Sequence, residues 1–131
     1  LSPALGGIVV GYEIGKQLNI QTIFAERADG KLALRRGFDI PQGSNVLIVE
    51  DVITTGKSAL ECSEIVKIYK ANLVGFSCII DRSDNNVLIK EKIVSQIKIN
   101  IAVFKENELP DKLKKISAIK PGSRNLSNDQ N

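Results

Sequence analysis

Residues 46–59, VLIVEDVITTGKSA, constrain the fold more than any other stretch of the chain. Four apolar residues run without alternation into Glu50 and Asp51. An unbroken apolar run of this length marks a strand buried on both faces of a parallel sheet, so residues 45–50 are expected to form one. Residues 51–56 then read as a polar loop. Residues 57–69 have helical apolar spacing, with Leu60, Ile65, Ile68 and Tyr69 expected toward the core. A second apolar run, residues 74–80, ends at Asp81 and Arg82. Strand, helix and strand in that order form a βαβ unit, whose two strands lie parallel with a right-handed crossover.

The same stretch carries the candidate chemistry. In open α/β sheets ligands bind outside the carboxyl ends of the strands, where Glu50 and Asp51 fall. The following Thr54, Thr55, Gly56, Lys57 and Ser58 set hydroxyls and free backbone N–H groups at a helix start, an anion site suited to a phosphate monoester. Gly56 allows close approach of backbone to phosphate. Carboxylates accept hydrogen bonds from vicinal hydroxyls. A phosphate cradle beside a diol reader describes a ribose 5-phosphate site. The ending Gly56-Lys57-Ser58 also fits a nucleotide-triphosphate loop, but the first glycine of that motif would fall on Asp51, whose charge repels phosphate. Packing alone gives no reason for two adjacent acids at the end of a buried strand.

The rest of the chain is less constrained. Residues 1–7 (LSPALGG) read as a loop, and residues 8–18 as a helix with Ile8, Val9, Tyr12, Ile14 and Leu18 on its core face. A strand is expected over residues 20–25. Residues 26–43 hold Arg27, Asp29, Gly30, Lys31, Arg35, Arg36, Pro41 and Gly43 and read as a long charged connection, either functional or a solvated turn. Residues 87–93 fit a helix or a strand, and 97–104 a further strand. The tail is Lys-rich, and residues 125–131 have the composition of a disordered end. With 131 residues the chain suits one domain. It has no histidine, which excludes Ser-His and Cys-His catalysis within it. Its two cysteines, Cys62 and Cys78, lie in apolar stretches and suggest neither zinc nor a disulfide framework. A net charge of +3 is too small to indicate nucleic acid, and no apolar run is long enough for a membrane span. The absence of methionine and a start at Leu1 lead us to expect an N-terminally truncated chain.

The segment VLIVEDVITTGKSA resembles the phosphoribosyl diphosphate (PRPP) signature of type I phosphoribosyltransferases. With LSPALGG upstream and KPGSR (residues 120–124) downstream, the chain is similar to the bacterial orotate branch of that family from Leu1 to Arg124. The resemblance implies an α/β, Rossmann-like core with a mainly parallel sheet flanked by helices, spanning residues 1–124 and lacking an N-terminal hood. It implies transfer of the phosphoribosyl group from PRPP to orotate in pyrimidine biosynthesis, with Mg²⁺ held mainly through PRPP and not by dedicated protein ligands. Glu50 and Asp51 would hold the ribose hydroxyls, and the turn Val52, Ile53, Thr54, Thr55, Gly56, Lys57, Ser58 the 5-phosphate. The loop of residues 2–7, including Leu5 and Gly6, would meet the diphosphate, although relatives often carry lysine where Gly6 stands. Lys31, with Arg27 as partner, would be the catalytic cation on a mobile loop (residues 26–38) that completes the neighbouring site of a homodimer. Relatives place a further lysine and a histidine at the positions of Ala28 and Ala33. Thr54 and Arg82 would contact orotate, with an ion pair from Arg82 to Asp81 or Asp84 as the competing reading. A cytoplasmic enzyme without nucleic-acid or membrane partners follows. Two alternatives remain on the same fold: a phosphoribosyltransferase for another base, and a PRPP-sensing regulator that binds nucleic acid.

Overall fold

The computed structural model describes residues 1–83, 87–102 and 104–117. The chain divides into two compact units, Leu1–Ile101 and Ala102–Asn131. In the first, the order is β1 (Ser2–Pro3), α1 (Gly6–Leu18), β2 (Phe24–Ala28), β3 (Lys31–Leu34), β4 (Asn45–Ile53), α2 (Lys57–Ile68), β5 (Asn72–Asp81) and β6 (Ile93–Lys98). The described part of the second holds a 3₁₀ turn, Glu106–Glu108, and a short helix α3, Asp111–Lys114. The KPGSR segment and residues 125–131 lie outside the described residues. No helix among the described residues is long and apolar enough to cross a membrane.

Strands β4, β5 and β6 form a wholly parallel sheet in that order, joined at β4–α2–β5 by the expected βαβ unit. A second sheet sets β1 parallel to β2 and β2 antiparallel to β3. Leu1 joins the two: its amino group donates to Leu47 O and the Val49 amide donates to Leu1 O, both at 2.9 Å. The core gathers Ile48, Ile53, Val66, Phe76, Ala25 and Cys62, all nearly inaccessible to solvent. Among the strands, β4 is longer than the sequence suggests. It continues through Glu50, Asp51 and Val52 to Ile53, so both carboxylates belong to the strand and the loop shrinks to Thr54, Thr55 and Gly56.

Helix α1 buries a different stripe from the one expected, and of the expected face only Ile8 and Ile14 are half-buried. Its buried residues are Gly7, Gly11 and Gly15, whereas Val9 (77% exposed), Tyr12 (60%) and Leu18 (59%) point outward. The glycines recur every four residues and so share one side of the helix. A Cβ on Gly7 would lie 3.0 Å from Val49 O, and one on Gly15 would lie 3.1 Å from Ile20 O. At Gly7 the helix backbone therefore rests directly on β4, at Gly15 it closes on the connection that leads into β2, and only glycine permits these distances. In α2 the buried face is Ala59, Cys62, Ser63, Ile65 and Val66. Leu60 and Tyr69 flank the core, but Ile68 is 75% exposed, against expectation.

Three strand assignments also shift. The strand expected over residues 20–25 is β2, beginning only at Phe24. Within the supposed charged connection, Glu26, Arg27 and Ala28 complete β2 and residues 31–34 form β3, joined by a tight turn at Asp29 (φ 49°) and Gly30 (φ 82°). Two successive positive φ values are the backbone of the hairpin turn that Asp-Gly favours. The last strand is β6, Ile93–Lys98, placed earlier than residues 97–104 because Phe76 through Asp81 of β5 pair with it.

The glycine contact in α1 gives a test. Ala is the better helix former by about 1 kcal/mol at an exposed site, yet Gly15→Ala should destabilise the protein by about 1–3 kcal/mol through overpacking. Urea denaturation measures it; a gain in stability would contradict the close packing of α1 at Gly15 against Ile20 and Thr22.

Candidate active site

The site is assembled at the carboxyl end of β4. Successive strand residues face opposite sides of a sheet, and the two acids follow that rule. Asp51 lies against the start of α1: a Cβ on Gly6 would come within 2.6 Å of Asp51 Cγ. Gly6 thus admits the carboxylate where any side chain would displace it. The peptide between Ala4 and Leu5, in the same loop, is cis. Glu50 lies toward α2, where its charge reaches the Cys62 thiol. Burial, aided by the neighbouring Asp51 carboxylate, pushes the Glu50 carboxyl up to about 7. Burial also pushes the Cys62 thiol up to about 12, which leaves it an inert core residue. The two carboxylates therefore approach the end of β4 from opposite sides.

The turn after β4 is fixed from both directions. Gly56 is buried, adopts φ 79° and caps α2. A Cβ there would sit 2.7 Å from Ile89 Cγ1, so residue 56 must be glycine for both conformation and space. The Leu88 amide donates to Thr55 O at 3.0 Å, which draws residues 87–89, undecided between helix and strand from the sequence, across the turn. Thr54, Thr55 and Lys57 remain exposed. The Lys57 amide donates to Thr55 Oγ1 at a long 3.4 Å, and the N-cap residue Gly56 has no side chain to cap α2, so the next amides of the helix start are free for an anion.

Arg82 is delivered beside this turn by strand register. Ile53 pairs with Asp81, and the Arg82 amide donates to Ile53 O at 2.8 Å. Its side chain is exposed, and Asp81 is engaged elsewhere. The Ser83 amide donates to Asp81 Oδ1 at 2.8 Å, and Lys98 Nζ lies 3.4 Å from Oδ2. Burial opposes ionisation of Asp81, but these partners outweigh it and hold its carboxyl below the ordinary range. The competing pair of Arg82 with Asp81 is thus not formed; Asp84 lies outside the described residues.

The hairpin β2–β3 separates the basic residues of the expected catalytic loop. Cross-strand partners share a face, and Arg27 pairs with Leu32 whereas Lys31 pairs with Ala28. Leu32 is buried, and Arg27 Nη1 lies 3.0 Å from Glu61 Oε2 on α2. Lys31 points from the other face, is exposed and forms no ion pair among the described residues. The structure therefore does not bring Arg27 and Lys31 together. Arg35 and Arg36 converge on the Glu26 carboxylate at 3.5 and 2.9 Å. Glu26 and Glu61 were missed as partners of the basic residues, since their roles depend on hairpin register and on the docking of α2.

A cavity of about 200 Å³ lies at the opposite end of β4, lined by Leu1, Gly15, Thr22, Ile40, Asn45 and Leu47 among others. It touches neither acid nor the turn. Ligands of parallel sheets bind at the carboxyl ends of strands, so the candidate site is the end that holds Glu50, Asp51, Gly56 and Arg82.

Comparison with known proteins shows the family. Residues 1–112 match the phosphoribosyl transferase domain family. The chain belongs to the phosphoribosyltransferase family. Orotate phosphoribosyltransferase of Caldicellulosiruptor saccharolyticus is 45% identical over 126 residues, 96% of this chain and 66% of that protein. The enzyme of the same name from Thermoanaerobacter sp. is 41% identical over 124 residues, 95% of this chain and 65% of that protein. This phosphoribosyltransferase chain thus spans just under two thirds of the length of those relatives. Among solved structures, orotate phosphoribosyltransferase from Aeropyrum pernix superposes with a TM-score of 0.61 at 18% identity, covering 75% of this chain and 58% of that one. Adenine phosphoribosyltransferase from Thermoanaerobacter pseudethanolicus gives 0.64 at 16% identity, covering 75% and 67%. At such identities these two establish the fold, the expected α/β phosphoribosyltransferase core.

The raised Glu50 predicts a pH dependence. The unfolded chain releases this proton near the ordinary 4.5 and the folded one near 7. Between those values the folded state binds the extra proton, so this contribution to stability falls as pH rises from about 4.5 to about 7 and is flat above. Glu50→Gln should remove that loss. Urea midpoints at pH 5 and pH 8 check it; equal losses in variant and parent would contradict the burial of this charge.

Proposed function

We propose that the chain is the PRPP-binding core of an orotate phosphoribosyltransferase, transferring the 5-phosphoribosyl group of PRPP to orotate in pyrimidine biosynthesis. The observation that carries this reading is the meeting, at the end of β4, of Asp51 against Gly6, the turn of exposed Thr54 and Thr55 and of Gly56 at the start of α2, and Arg82 beside it. The names of relatives at 41–45% identity support the choice of base.

In this reading the turn and the first amides of α2 hold the 5-phosphate. Glu50 and Asp51 accept hydrogen bonds from the ribose hydroxyls, one from each side. The backbone of Leu5 and Gly6 meets the diphosphate. Arg82, with its planar donor fork, holds the orotate carboxylate, and Thr54 lies between base and phosphate. Bonding of orotate N1 to ribose C1 accompanies cleavage of the C1–oxygen bond; diphosphate leaves with the electron pair, and the N1 proton passes to diphosphate or water. The developing charge is spread over ribose and diphosphate, so catalysis consists of positioning and of stabilising the leaving group, and no protein nucleophile is required.

Mg²⁺ suits the residues present. The Asp51 carboxylate beside Gly6 is a hard donor of the kind it takes, and the ion would be held mainly through PRPP. The remaining positions would fall to water and substrate oxygens. When bound, the ion would neutralise diphosphate charge. Arg27 faces α2 on its own chain, whereas Lys31 faces away. That division fits a homodimer in which Lys31 of the hairpin completes the neighbouring site and Arg27 serves its own. A cytoplasmic location is part of the same reading.

The test is orotate absorbance with PRPP and Mg²⁺. Loss of the signal only when both are present supports the assignment. PRPP binding without orotate loss contradicts the base and points to another acceptor or to a PRPP-sensing role. Failure to bind PRPP contradicts the site. In an active protein Arg82→Ala should raise the orotate KM at least tenfold, the cost of losing a charge-assisted bidentate contact, with little change in the PRPP KM. Equal effects on both would remove Arg82 from the base.

A further inference from the structure

The Arg27 guanidinium is held in two ways. Its Nη1 donates to Gly30 O in its own hairpin turn at 2.6 Å and lies 3.0 Å from Glu61 Oε2 in the second turn of α2. That oxygen is buried and accepts no aligned hydrogen bond among the described residues. Charge, not a directed hydrogen bond, therefore keeps the two together. Removing the guanidinium would leave a partly buried carboxylate without its counter-charge, which is unfavourable. A polyphosphate that presents several oxygens to the same donor fork offers more than one carboxylate oxygen does. A half-exposed ion pair of this kind is weak enough to exchange with such a ligand.

Its position gives it consequence. Glu61 follows the phosphate turn by only a few residues, and the buried Leu32 packs on the same hairpin face as Arg27. Arg27, Glu50 and Glu61 all bear on the Cys62 thiol, so one guanidinium stands among carboxylates on the α2 side of the candidate site. We infer that Glu61 is a positioning residue: it holds Arg27 against α2 and competes with an anionic diphosphate ligand for that guanidinium. The identity of the anion rests on the PRPP reading above; the hold of Glu61 on the hairpin does not.

Two measurements on the same four proteins separate these points: the parent chain, Glu61→Gln, Arg27→Ala and the double variant. Calorimetric titration with inorganic diphosphate should show Glu61→Gln binding about two- to fivefold tighter than the parent, the factor a half-exposed ion pair supplies. Arg27→Ala should bind more weakly, and adding Glu61→Gln to it should change nothing, because the competition acts only through Arg27. Tryptic cleavage after Lys31 and Arg35 should be faster in Glu61→Gln than in the parent. Diphosphate binding by the parent with no tightening in Glu61→Gln overturns the competition. Tightening that persists without Arg27 overturns the route through the guanidinium. Absence of diphosphate binding from all four overturns the PRPP reading, and the cleavage rates then decide the hold alone: an unchanged rate in Glu61→Gln overturns it.

Discussion

The structure depends on a backbone-to-backbone contact. Gly7, Gly11 and Gly15 let α1 close on the Val49 backbone with only small side chains such as Ser2 and Thr22 beneath it, and Gly6, one residue earlier, leaves room for the Asp51 carboxylate. The two contacts are one constraint. If α1 were lifted by the thickness of a side chain, the loop from Ala4 to Gly6 would move away from the end of β4, and the site would lose one of its walls. The same close seating turns Val9, Tyr12 and Leu18 outward, so an apolar helix face is exposed as a consequence of how the site is built.

On the other side of β4, α2 works by the opposite principle. It packs through side chains, Ala59, Cys62 and Val66, and its start is shaped by Gly56 under Ile89. Glu50 is partly buried against this layer, and burial raises its carboxyl toward neutrality. A carboxyl poised near 7 gives up part of the stability of the fold to keep a hydrogen-bonding group at the strand end. The pairing of Arg27 with Glu61 and of Arg35 and Arg36 with Glu26 then distributes the hairpin's positive charge. Of its basic residues, Lys31 is left exposed with no ion pair among the described residues.

How much was legible in the sequence follows from these forces. The unit β4–α2–β5 was readable because unbroken apolar runs bounded by turn residues admit few other folds, and the placement of Arg82 followed from the end of β5. The hairpin was not, although Asp29-Gly30 was in plain view: its strands are short and charged, so local composition outweighed the turn signal. The α1 face was misjudged because helical periodicity identifies a helix but not which of two low-polarity stripes is inside, and glycines carry no hydrophobic weight. The last strand was displaced because β6 is mostly solvent-exposed and its limits are set by pairing with β5. In the site, the chemistry of the β4 turn was readable from residue types, whereas the division of Arg27 and Lys31 between two faces depends on cross-strand register, which only the folded chain specifies.

The central claim is that the end of β4, and not the cavity at its other end, receives a ribose 5-phosphate group. Titrating isotopically labelled protein with ribose 5-phosphate while following backbone amide resonances tests it most directly. The account predicts concentrated, saturable shifts at Gly6 and at Thr54, Thr55, Gly56, Lys57 and Ser58, with Thr22, Asn45 and Leu47 unmoved. Shifts centred on Thr22, Asn45 and Leu47, or none at the β4 turn, would contradict it.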